Sequence, residues 1–166
     1  MTARAVVAAG SNLGDRAATL ARGLQLLSVH PQVSVVAVSP VYETDPVGGP
    51  AQDDFLNLVA LVDTDVPART FLGLLHVIEA ACDRERGERW GPRTLDLDLI
   101  AYDALVSAEP GLLLPHPRAH ERAFVLRPWA DLAPEARLPG RGTVRDLLAG
   151  LGEHGVRQRP DLEVTP

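Results

Sequence analysis

The chain has 166 residues, is 46% hydrophobic and carries a net charge of −6, enough for one domain with a real core but without the basic excess of a general nucleic-acid binder. No stretch reaches the roughly 18 uninterrupted apolar residues of a membrane span, and the single cysteine, Cys82, excludes an internal disulfide and a cysteine-built zinc site. All sixteen basic residues are arginine, so a P-loop, which needs a lysine on the phosphates, is excluded. Any phosphate binding falls to arginine forks and backbone N–H groups.

The N-terminal MTARAVVAAGSNLGDR runs from a short apolar segment into Gly-Ser-Asn without a small-residue cleavage site. No signal peptide is read, and the cytoplasm is the expected location. Arg4 to Ala9 predicts a strand, and Gly10-Ser11-Asn12 a turn. Ala17, Leu20, Leu24 and Leu27 recur at helical spacing between about Asp15 and Val29, and Pro31 closes that helix. Val33 to Tyr42 is strand-like, with Pro40 marking an edge or a bulge. Residues 43–54 hold two Gly and two Pro without periodicity and predict a loop; a loop of that length in a compact domain is often functional. Phe55 to Asp63 is the third strand. Asp65 is placed to cap a second helix, with Pro67 in its first turn, running to about Ala81. A second irregular stretch, 83–93, precedes a strand from Thr94 to Tyr102.

This β-α-β-β-α-β order defines an α+β fold, the ferredoxin-like split βαβ arrangement: an antiparallel sheet with helices packed on it. The remainder reads as an irregular, Pro-rich C-terminal extension with short helices around 118–129 and 143–151. Residues 1–152 are expected to form a single domain and residues 153–166 a loose tail.

The last strand of the core poses the chemical question. In TLDLDLIAY, Leu95, Leu97 and Leu99 point one way, while Asp96 and Asp98 point the other. Asp is depleted in strands, and two same-face carboxylates repel each other unless a cation lies between them. They are either solvated strand residues paired with nearby arginines or a magnesium clamp. Alternate residues on one strand face lie about 7 Å apart, a spacing that straddles two cations about 3.5–4 Å from each other. Mg²⁺ takes one or two carboxylates and completes its shell with water and phosphate oxygens. Arg84, Arg86, Arg89 and Arg93 crowd the preceding irregular stretch: a solvated charged loop, or an arm that folds over a polyphosphate. His116, held between Pro115 and Pro117, and Arg122 could reach the same phosphates. Phe55, Trp90 and Phe124 are three of seven aromatics. They either fill the core or stack on a flat ligand whose heterocycle edge Asn57 would read with donor and acceptor. Two rivals are a two-metal phosphodiesterase, which lacks a spare base beside Asp96 and Asp98, and a non-catalytic ligand-sensing module, which needs no carboxylate clamp.

Five motifs in order, GSNLGDR (10–16), SPVYET (39–44), FLN (55–57), RWGPRTLDLDLI (89–100) and LPHPRAHERAFVLRPW (114–129), resemble the 6-hydroxymethyl-7,8-dihydropterin pyrophosphokinase family of folate synthesis, over about residues 4–135. The resemblance implies an ATP-dependent enzyme that moves the β,γ-diphosphate of ATP to the pterin hydroxymethyl oxygen and leaves AMP. It implies two Mg²⁺ ions at Asp96 and Asp98, with Arg84, Arg93, His116 and Arg122 on the triphosphate. Leu99 and Glu79 would lie near the adenine. Thr44, Val47, Phe55, Asn57, Trp90 and Phe124 would form the pterin site, and Arg86, Arg89 and Trp90 a closing loop. Catalysis would rest on Arg84, Arg93, Asp96 and Asp98. A monomer acting on small molecules, without nucleic acid or membrane, is expected. Three positions depart from the family pattern: Phe55 where some relatives have Tyr, Asp83 where a Gly is usual, and Asp45 where some members have Pro.

Overall fold

A computed structural model describes residues 1–46, 53–86 and 94–166, with 83–86 described by backbone alone. The core elements are β1 (Ala3–Ser11), α1 (Arg16–Ser28), β2 (Val33–Val38), β3 (Tyr42–Thr44), β4 (Phe55–Thr64), α2 (Ala68–Arg86) and β5 (Asp96–Tyr102). Two small hairpins follow, β6 (Ser107–Glu109) with β7 (Leu112–Leu114) and β8 (Arg137–Leu138) with β9 (Gly142–Thr143). The helices of this half are α3 (Ala123–Leu132) and α4 (Val144–Leu151), and β10 (Val156–Gln158) comes last. In the main sheet β5, β1 and β4 lie side by side, with β2 and β3 both on the far edge of β4; every pairing is antiparallel. This is the expected ferredoxin-like order.

Both faces of the sheet are covered. Leu20, Leu24 and Leu27 of α1 and Phe71, Leu75 and Ile78 of α2 meet Val7, Leu58, Leu97 and Leu99 on one face. On the other, Val125, Leu126 and Trp129 of α3 and Leu148 of α4 meet Val6, Val59, Leu61 and Ile100. The period-2 reading of β5 therefore holds: its leucines enter the α1/α2 core, and Ile100 enters the α3/α4 core.

Several boundaries differ from expectation. Gly10 and Ser11 continue β1 instead of turning, because β4 still pairs with both and β5 with Gly10. The single strand expected over 33–42 is divided: a bulge lies between Val35 and Ala37, and pairing resumes at Tyr42 beyond Pro40, which has no N–H for the ladder. β3 takes the first residues of the expected 43–54 loop. Asp65 does not cap α2; its carboxylate accepts the Thr2 hydroxyl at 2.9 Å. The helix extends beyond Ala81 to Arg86, so Arg84 and Arg86 belong to its last turns and not to an irregular stretch. Residues 82–86 contain no Gly or Pro, and Arg and Glu are good helix formers. The final strand starts at Asp96, not Thr94.

The extension contains the two expected short helices. The tail is not loose: β10 pairs with β3 in the main sheet, and Val164 is buried in the α1/α2 core. A polar chain anchors it. Tyr42 donates its phenolic hydrogen to Asp131. Asp131 also accepts Arg127 Nη2 at 2.6 Å, and Arg127 Nη1 reaches Glu153 at 3.3 Å. Burial, reinforced by the hydrogen bond to Asp131, pushes the Tyr42 phenol up to about 12, so it remains a donor.

Candidate active site

The register of the sheet builds the site row by row. Asp96 pairs with Gly10, and Gly10 with Asn57. One step along, Asp98 pairs with Ala8, and Ala8 with Val59. Directly paired residues share a face, so both carboxylates and the Asn57 amide project beside the α3/α4 core. There the small residues Ala8 and Gly10 leave an open floor. A cavity of about 800 Å³ lies above it, within the usual size of a small-ligand site.

At one end, Asp96 and Asp98 stand half-buried on β5. Arg122, the residue before α3, brings Nη1 to 3.9 Å from Asp98 Oδ2, with its guanidinium 5.5 Å from the Phe124 ring centroid. His116 is fixed beside them: its backbone N–H donates to the Ile100 carbonyl at 2.9 Å, two residues beyond Asp98. Its Nδ1 accepts the Arg118 backbone N–H at 3.2 Å, which puts the ring hydrogen on Nε2. Burial holds this imidazole below the usual histidine range, and Arg122 and Arg118 reinforce that against the pull of Asp98.

At the other end, Asn57 Nδ2 donates to Thr44 Oγ1 at 2.6 Å, and Phe55 pairs with Thr44. Phe124, in the first turn of α3, also lines the cavity. A Cβ on Gly10 would stand 2.6 Å from Asn57 Oδ1; only glycine lets the buried amide occupy that place.

Of the residues expected in the site, Thr44, Phe55, Asn57, Asp96, Asp98, Arg122 and Phe124 line this cavity together, with His116 next to Asp98. Glu79 and Leu99 lie across the sheet. Leu99 is buried in the α1/α2 core, and Glu79 Oε2 accepts the Leu97 N–H at 3.1 Å, supporting the backbone between the two aspartates. Arg84 and Arg86 are located by backbone on α2. Val47, Arg89, Trp90 and Arg93 lie outside the described residues. Sequence reasoning missed Arg118, Glu121 and the wall formed by Leu151, Gly152, His154, Gly155 and Val156. The two glycines of that wall, both at positive φ, signalled turns but not a site.

Among the described residues no group of three or more His, Cys, Asp or Glu could hold a metal ion. Two acidic ligands on one strand, open to the cavity, fit a cation that draws its remaining oxygens from phosphate and water, as Mg²⁺ does.

An α+β protein with a ferredoxin-like sheet and an aromatic-walled cavity into which two carboxylates and Arg122 project is the class these features define. The sequence profile described as 7,8-dihydro-6-hydroxymethylpterin-pyrophosphokinase (HPPK) matches residues 6–134. The chain is 43% identical over 155 residues to the 2-amino-4-hydroxy-6-hydroxymethyldihydropteridine pyrophosphokinase of Methylorubrum extorquens, covering 93% of this chain and 98% of that one. It is 41% identical over 160 residues to the enzyme of the same name from Pseudomonas aeruginosa, covering 96% and 99%. The chain belongs to the HPPK family. A crystal structure of Plasmodium falciparum HPPK-DHPS shares the fold at a TM-score of 0.71 and 15% identity; the match covers 95% of this chain and 49% of that longer one. Among the described residues no helix is long and apolar enough to cross a membrane.

Proposed function

We propose that this chain transfers the β,γ-diphosphate of ATP to the hydroxymethyl group of 6-hydroxymethyl-7,8-dihydropterin, giving AMP and the pterin diphosphate, a step of folate biosynthesis. The observation that carries the reading is that one cavity joins the Asp96/Asp98 pair to the Asn57–Thr44 amide and the Phe55 and Phe124 rings. Asn57 presents donor and acceptor to the pterin edge, and the two rings bracket its plane. Arg122 and the Nε2–H of His116 hold phosphate oxygens at the carboxylate end. Arg84 and Arg93 complete that grip, and Arg86, Arg89 and Trp90 belong to the segment that shields the site from water. Glu79 acts through the Leu97 backbone, keeping the two carboxylates aligned. Leu99 seats the adenine through its main chain.

Magnesium, two ions in this reading, would be held by Asp96 and Asp98; it neutralises phosphate charge and lowers the pKa of the attacking hydroxyl. The hydroxymethyl oxygen bonds to the β phosphorus as the bond from that phosphorus to the α-phosphate oxygen breaks. AMP leaves with the electron pair, and the hydroxyl proton passes to water. Residues 1–152 carry this chemistry, with the 153–158 segment closing one wall. In this reading the enzyme is a monomer working in the cytoplasm without nucleic acid or membrane.

The test is a product assay with ATP, Mg²⁺ and the pterin alcohol. AMP equal to pterin diphosphate, formed only when metal and pterin are both present, is the expected result; ADP would overturn the mechanism. The pterin end has its own check. Gly10→Ala forces Asn57 off Thr44, so pterin affinity by fluorescence titration should fall about tenfold or more. ATP affinity should stay within about twofold. Unchanged pterin affinity would remove Asn57 from recognition.

A further inference from the structure

We propose that Arg157, on β10, is a positioning residue for the pterin end of the cavity, a proposal that rests on the function given above. Its guanidinium bridges two carboxylates that flank different strands: Nη1 meets Asp45 Oδ1 at 3.0 Å and Nη2 meets Asp54 Oδ2 at 2.9 Å. Asp45 directly follows Thr44 and Asp54 directly precedes Phe55, the two residues that pair where β3 meets β4. A single fork therefore ties together the chain ends that carry the Thr44 hydroxyl and the Phe55 ring.

The fit is built from several sides. The Asp45 N–H donates to the Gly155 carbonyl at 3.1 Å. Gly155 has φ +75°, and a Cβ there would stand 2.9 Å from Asp45 Oδ2, so glycine permits the approach. Beneath this pair, Arg16 and Arg159 both reach Glu43, at 2.7 and 3.3 Å, and Arg16 also donates to the Asp54 carbonyl at 2.9 Å. Removing the Arg157 fork leaves Asp45 and Asp54 as neighbouring like charges at the mouth of β3 and β4. Thr44 then loses its fixed place against Asn57, and Phe55 its angle. The Asp45 carboxylate makes the bridge possible. Arg157 touches neither core nor cavity floor, and its side chain is 49% exposed, so its loss opens no void.

The experiment compares wild type, Arg157→Ala and Arg157→Lys by fluorescence titration of the pterin alcohol, by KM for each substrate and by thermal melting. Arg157→Ala should weaken pterin binding about fivefold to tenfold, the scale expected of two partly exposed ion pairs acting together. ATP KM, kcat and Tm should remain near wild type. Arg157→Lys should recover part of the loss, since an ammonium lacks the fork. Added salt should weaken pterin binding to wild type and leave the alanine variant nearly unaffected. Wild-type pterin affinity in Arg157→Ala overturns the proposal, as does a parallel loss for both substrates with a lowered Tm. Pterin binding to the wild type without AMP formation strikes the proposed reaction alone, and the affinity ratio still decides Arg157. No pterin binding to the wild type overturns both.

Discussion

Asp98→Ala should lower turnover by about a thousandfold or more while leaving pterin affinity within about threefold. Asp98 is one of two carboxylates on the open face of β5, and among the described residues its cationic partner is Arg122 at 3.9 Å. Removing the carboxylate takes away one of the two groups proposed to hold the magnesium that neutralises a triphosphate, an effect worth several kcal/mol at the transition state. Arg122 cannot compensate, because a guanidinium binds phosphate oxygens but does not lower the pKa of the attacking hydroxyl in the way a dication does. Asp98→Asn separates charge from shape. The amide fills the same space, so the fold should be unperturbed, yet turnover should fall to a similar degree. The pterin contacts proposed for Asn57 and Phe55 lie two strands away on β4, which is why binding and turnover should part company. Product formation by AMP release, set beside pterin titration, measures both. Turnover within tenfold of wild type in either variant would strip Asp98 of the metal-holding role.

The largest stability effect is expected at Trp129. It is 2% exposed and, among the described residues, the bulkiest of the fully buried side chains, and it packs α3 onto Val6, Val59 and Ile100 of the sheet. Trp129→Ala should cost about 3–5 kcal/mol, a large share of the roughly 5–15 kcal/mol available to a domain of this kind. Its indole N–H is buried without a hydrogen-bond partner among the described residues, so Trp129→Phe strands no polar group and should cost under about 2 kcal/mol. Urea unfolding distinguishes the two. Equal losses would mean that the indole nitrogen matters after all, and a loss under about 1 kcal/mol for alanine would mean that α3 does not hold the sheet. Because α3 carries Phe124 and begins just after Arg122, Trp129→Ala should also weaken both substrates together, unlike Gly10→Ala or Asp98→Ala.

The parts legible in the sequence are those with a local period. The leucines of α1 at helical spacing and the alternation of β5 identified both elements, and that alternation alone placed Asp96 and Asp98 on a common face. Contiguous motifs named Asn57, Thr44, Phe55 and Phe124. What escaped depends on distance. The three residues of β10 have no amphipathic signal and are ordered by pairing with β3 and by ion pairs such as Arg157 to Asp45, separated by 112 positions. Gly10 looked like a turn because glycine usually punctuates; it is a strand residue made small by the Asn57 amide beside it. The end of α2 was placed early because a charged run resembles a loop, although none of its residues interrupts helical hydrogen bonds.

The cavity draws walls from segments far apart in the sequence, Ala8–Gly10 on β1 and Leu151, Gly152 and His154 to Val156 where α4 leads into β10. During synthesis on the ribosome, a nascent chain can assemble β1, β4 and β5, and with them both aspartates, long before the last wall has left the exit tunnel. Such a chain would present both carboxylates with one side of the pocket missing and water free to enter. The pocket makes an early segment answer to a late one: its last wall arrives only once β10 has been made.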